Sequence, residues 1–105
     1  MRSVAVPGLL ALVAGCALGA APRDLVNARA AYERASHGPA AELDPADLHI
    51  AKRTLDAAEE SFSDHGNTQD TRDDAYVSER RSEIAEARAR VLEARPDPDP
   101  KAPPR

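Results

Sequence analysis

Cys16 is the sole cysteine of 105 residues, so no disulfide can form within the chain and the value of its thiol lies elsewhere. It follows Val13-Ala14-Gly15. The short side chains of Ala14 and Gly15 let the backbone enter a peptidase site. The Cys16 sulfur is then the nucleophile that accepts a diacylglyceryl group. The position of Cys16 after these short residues suggests lipid attachment.

The segment before Cys16 has the parts of a secretory signal. Met1-Arg2 supplies positive charge, and Ser3 to Val13 is uncharged and mostly apolar. That run is shorter than the roughly 20 residues a membrane-spanning helix needs, and Pro7-Gly8 weakens it further as a helix. The competing reading is a short membrane anchor with an incidental cysteine. Val13-Ala14-Gly15-Cys16 resembles the lipobox of bacterial lipoproteins, with Val13 where leucine is more usual. The resemblance implies a signal peptide over residues 1–15, a lipidated N-terminus and short tether over 16–21, and membrane anchoring through lipid on Cys16. Ala17 stands where retained lipoproteins commonly carry aspartate, which implies the outer membrane with the domain facing the periplasm.

The remaining chain is mildly acidic. The formal charge of −4 becomes −5 once residues 1–15, holding Arg2 and no acid, are removed. Both signs are interspersed as on a solvated helical surface, and nucleic-acid binding, which rests on clustered Lys and Arg, is not expected. With no Trp, one Phe and two Tyr, only a small core is available, of the kind that rarely supplies more than about 3–5 kcal/mol.

Three stretches repeat one pattern: Leu25, Ala28, Arg29, Tyr32, Ala35; Leu48, Ala51, Lys52, Leu55, Ala58; and Ile84, Ala87, Arg88, Val91, Ala94. These spacings put the apolar members on one helical stripe, with a basic residue at its edge whose stem covers apolar surface. Pro22 and Pro45 occupy first-turn positions, and Asp44 with Asp47 approaches a capping box. His37-Gly38 and His65-Gly66 supply left-handed C-terminal glycines. Asn67 is the expected cap of the third helix. The predicted fold is all-α: a three-helix antiparallel bundle with helices over 23–36, 45–64 and 69–95, within a helical domain over 22–95. Arg95-Pro96 stops the third helix, and residues 96–105 form an extended or disordered Pro-rich tail. The third helix is longer than its neighbours by about 9 Å or more, so its end overhangs unless another element covers it.

No nucleophile–base–orienter set is present, so neither an enzyme nor a cofactor is expected. His37 and His65 suit helix C-termini, where their charged form complements the dipole. His49 reads as a surface residue. No paired spacing such as HxxxH indicates a metal. Asp70 to Asp74 lacks the alternating ligands and central glycine of a calcium loop. Arg80-Arg81 interrupt the third stripe, facing solvent or pairing with Glu59 or Glu60.

Pro22-Arg23-Asp24-Leu25 running into Ala28-Arg29-Ala30-Ala31-Tyr32, then Pro45-Ala46-Asp47-Leu48 and Ala51-Lys52 through Ala58-Glu59, resemble the domain-of-unknown-function family 4398 over roughly Pro22 to Val91. The resemblance implies a domain that follows lipoprotein signals in Gram-negative bacteria, sometimes ahead of an OmpA-like peptidoglycan-binding domain. No OmpA-like segment lies between Met1 and Arg105, so peptidoglycan binding is not carried over. The tail reads as the start of a linker or as a free terminus. Function is expected to be that of a non-enzymatic envelope lipoprotein, a helical interaction or spacer module. The alternative is a periplasmic chaperone or stress sensor that holds clients on exposed helix faces. A protein partner or self-association is expected, with Val91 and Leu92 as candidate contact residues on the overhanging end.

Overall fold

The computed structural model describes residues 19–95. The signal segment, the Val13-Ala14-Gly15-Cys16 motif and the 96–105 tail lie outside the described residues. The described chain is all-helical: α1 (Arg23–His37), α2 (Ala40–Leu43), α3 (Pro45–His65) and α4 (Gln69–Ala94). The three long helices start where the sequence places them and end within one residue of it. The short α2 is an addition to the expected three.

Each start has a local cause. Pro22 is the residue before α1, and its carbonyl accepts from Leu25 N at 3.0 Å and Val26 N at 3.1 Å. Asp44 caps α3 by accepting from Asp47 N, with Pro45 in the first turn, where its missing N–H costs nothing. The cap of α4 is Thr68, which accepts from Thr71 N at 3.2 Å, and not Asn67. The side chain of Asn67 instead accepts from Arg72 at 2.7 Å.

The two His-Gly endings differ. Gly66 closes α3 with φ +73° and ψ −153°, a conformation that favours glycine. Gly38 is extended, with φ −96°, so the left-handed turn expected there does not form. The chain turns instead into α2, whose first residue, Ala40, is fully buried beside Ala85 and Ala89. Thus α2 covers part of the long end of α4.

The long helices α1, α3 and α4 all touch one another. Asp47 meets Arg88 at one end of the α3–α4 pair, and Ser61 meets Thr71 at the other; the two helices therefore run antiparallel. The core joins Leu25 and Ala28 of α1, Leu55 and Ala58 of α3 and Ala75 of α4, with Tyr32 and Phe62 packed against it. Leucines from two helices thus meet an alanine on the third, an arrangement that lets helix axes approach closely.

The buried face of α4 differs from the expected one. It consists of Thr71, Ala75, Ser78, Ser82, Ala85 and Ala89. Ile84, Ala87, Val91 and Ala94, placed on the third seam by the sequence pattern, are exposed. Helix α4 packs on both other long helices, and it presents small side chains to them while its larger apolar residues turn outward.

Candidate interaction surface

On α4 the outward residues form a second stripe: Val77, Arg81, Ile84, Arg88 and Val91, spaced 4, 3, 4 and 3 apart. That spacing keeps them on one face, and all five are exposed. Ile84 and Val91 of the expected third seam are therefore brought together, but on the surface. Val91 is 64 % exposed and Leu92 40 %.

Alongside this stripe, α3 presents Ile50, Arg53, Thr54 and Ala57, which line a shallow apolar depression. Ala57 also lines a second depression with Glu60, Asp64, Asp70, Asp73 and Asp74. The two depressions thus meet at Ala57 and make one continuous surface on the α3–α4 hairpin. One end is acidic. The middle and the other end carry apolar residues and arginines.

Ion pairs fix the hairpin and α1. All three basic residues of the repeated pattern find carboxylates. Arg29 makes a bidentate contact with Glu59, its second nitrogen donating at 2.7 Å, and this joins α1 to α3. The hydrogen bond to Glu59 raises the Arg29 pKa further. Lys52 pairs with Asp56 at 2.5 Å within α3, which raises its pKa. Arg88 reaches Asp47 at 2.7 Å. Because Glu59 is engaged by Arg29, it is not the partner of the Arg80-Arg81 pair. Arg80 bonds Glu83 at 2.6 Å and lies 5.0 Å from the Tyr76 ring centroid, while the Arg81 charge acts on Asp47.

A part-buried hydroxyl cluster centred on the buried Thr71 holds the α3–α4 turn. Thr71 Oγ1 donates to the Gly66 carbonyl at 2.8 Å and lies 2.9 Å from Ser61 Oγ and 3.1 Å from Thr68 Oγ1. Sequence pattern passed over this cluster, since hydroxyl residues near a turn carry no periodic signal.

The histidines stand apart from one another. His37 Nδ1 lies 2.8 Å from the Glu33 carbonyl in the last turn of α1, His49 is exposed on α3, and His65 sits in the last turn of α3 beside the acidic depression. Among the described residues no group of three or more His, Cys, Asp or Glu is arranged to hold a metal ion, and no helix is long and apolar enough to cross a membrane.

No curated protein and no solved structure matches this chain. A family model does, over residues 23–99, from the first residue of α1 to beyond the end of α4. The sequence resemblance and the helical architecture meet in that match, and the chain belongs to the family described as Domain of unknown function (DUF4398).

Proposed function

We propose that this protein is a non-enzymatic lipoprotein of the cell envelope, an antiparallel bundle of three long helices that acts as an interaction module. The observation that carries the interaction reading is the inverted packing of α4, with Ala and Ser inside and Val77, Ile84 and Val91 outside. Exposed apolar residues at heptad spacing on a helix are what a partner helix or groove engages. Val91 and Leu92 extend that surface to the end of α4.

The anchor half of the proposal rests on Val13-Ala14-Gly15-Cys16. Lipid on Cys16 holds the chain at the membrane, since each buried methylene contributes about 0.8 kcal/mol. The tether from Cys16 to Pro22 reaches at most about 22 Å when extended, which keeps the bundle close to the membrane; the assignment to the periplasmic side of the outer membrane rests on Ala17. A defined partner is favoured over unfolded clients. The stripe is narrow and broken by Arg81 and Arg88, whereas client holding calls for a broad apolar patch.

Photo-crosslinking in intact cells, from a probe placed at Ile84 of the full chain, tests the interaction reading. A discrete crosslinked species is expected, and it is lost from a probe at Tyr76. Equal smears from both positions contradict a defined interaction surface.

A further inference from the structure

We infer that the outer face of the α3–α4 hairpin binds the same face of a second copy of this chain, turned end over end. This deepens the interaction reading at its Val77 end, leaving Val91 beyond the contact, and is independent of the lipid anchor.

Charge along the face carries the argument. Glu60 and Asp64 on α3, with Asp70, Asp73 and Asp74 on α4, make the turn end acidic. Arg53 on α3 and Arg81 on α4 put unpaired positive charge farther along the face, while Arg88 there is paired with Asp47. Among the described residues neither Arg53 nor Arg81 forms a salt bridge, and neither do Glu60, Asp64, Asp70, Asp73 or Asp74. On α4 the acidic Asp73 and basic Arg81 are about 12 Å apart along the axis, and on α3 Glu60 and Arg53 about 10 Å, at 1.5 Å per residue.

A two-fold axis perpendicular to the helices turns this asymmetry into complementarity. Rotation about a point beside Val77 sets Arg81 against Asp73 of the second copy. On α3 the same operation, centred beside Ala57, sets Arg53 against Glu60 of the second copy. The antiparallel pairing of α3 with α4 places Val77 and Ala57 at nearly the same height, so one axis serves both helices. At that axis Ala57 lets the backbones approach and Val77 supplies the apolar contact. The opposite orientation, with both copies parallel, sets acid on acid and arginine on arginine.

With the axis beside Val77 and Ala57, residues 69–85 of α4 and 48–65 of α3 face the second copy, about 25 Å of each helix, and two helices about 10 Å apart present roughly 500 Å² per copy. The total of roughly 1,000 Å² is at the lower limit for a specific interface. The dimer is therefore weak and, because the matched charges lie at its rim, weakens further with salt.

Sedimentation velocity of the detergent-solubilised full chain over a concentration series tests this, with circular dichroism confirming that each variant is folded. Wild type is expected to show a monomer–dimer equilibrium that salt shifts to monomer. Arg53→Glu with Arg81→Glu, and separately Glu60→Lys with Asp73→Lys, are each expected to weaken the dimer at least tenfold. An equimolar mixture of the two variants is expected to restore it. A wild type that stays monomeric at every concentration overturns the inference, as does an unchanged dimer in either variant or a mixture that fails to recover. If wild type is monomeric yet the Ile84 probe still captures one discrete species in cells, the interaction reading stands and its partner is a different protein.

Discussion

Arg88 donates to Asp47 Oδ2 across 2.7 Å, tying a late turn of α4 to the first turn of α3. Asp47 in turn faces Asp44, the cap of the same helix. The two carboxyls are pushed apart. Burial, then the hydrogen bond with Asp47, raises Asp44 above the usual 3.8. The neighbouring Asp44 side chain, then the hydrogen bond from Arg88, lowers Asp47 below it. The opposite directions favour the charged form of Asp47, the form that Arg88 engages.

The pH consequence follows from the two directions. A raised Asp44 contributes stability that is present below the usual carboxylate range and lost as pH rises through its folded value. A lowered Asp47 contributes stability that is present above that range and lost as pH falls through its own folded value. The two oppose each other. Asp44→Asn keeps a good cap and removes the carboxylate whose Oδ2 is buried without a hydrogen-bond partner. The variant is expected to melt higher than wild type at neutral pH, with the gain disappearing under acid conditions. Thermal melts at several pH values check this, and a variant that melts lower at neutral pH contradicts the assignment.

Leu25 and Leu55 should dominate stability. Both belong to the cluster shared by all three long helices, at 0 % and 8 % exposure. Either Leu→Ala change is expected to cost about 2–5 kcal/mol, comparable to the whole stability of so small a core. Alanine at His37, His49 or His65 is expected to cost less than either. Denaturant titration decides, and a histidine variant that matches Leu55→Ala would mean the core is misplaced.

Buried hydroxyls on α4 should behave in opposite ways. Thr71 is fully buried, donates to Gly66 and has Ser61 and Thr68 within bonding distance; Thr71→Val is expected to cost about 1–3 kcal/mol by stranding those groups. Ser78 and Ser82 are fully buried, and their hydroxyls have no partner among the described residues. Ser78→Ala and Ser82→Ala are expected to leave the melting temperature unchanged or raise it. A large loss in either would show that its hydroxyl is bonded.

The two helix-ending glycines should also separate. At Gly66, with φ +73°, a side chain is strained, and Gly66→Ala is expected to cost about 1–3 kcal/mol. At Gly38 the backbone is extended, and an added Cβ meets only the Arg34 and Ala35 carbonyls, at 3.4 and 3.7 Å, so Gly38→Ala is expected to be mild. Paired thermal melts would contradict this by ranking the two the other way.

Much of the fold was legible because proline, aspartate and glycine mark the long helices: Pro22 and Pro45 at their starts, Asp44 as a cap, Gly66 at an end. Helix α2 was not, since four residues between Pro39 and Asp44 are too few to show a period. The buried face of α4 departs from the pattern for a physical reason. Pattern reading follows large apolar residues, and here Ile84 and Val91 lie outside while Ser78 and Ser82 lie inside. Of the outward stripe on α4, the sequence pattern singles out only Val91 as a candidate contact, with Leu92 beside it, at the overhanging end. The acidic end at Asp70 to Asp74 was visible as a charge run, but its position beside Glu60 and Asp64 depends on how α3 and α4 pair.

The proposed lipid anchor is tested most directly by the mass of the mature chain. Intact-mass spectrometry of protein purified from the cell envelope is expected to show a chain that begins at Cys16 and carries acyl groups, with Cys16→Ser yielding neither the processed, acylated form nor membrane association. A mature chain that retains residues 1–15, or begins at Cys16 without lipid, would contradict the account.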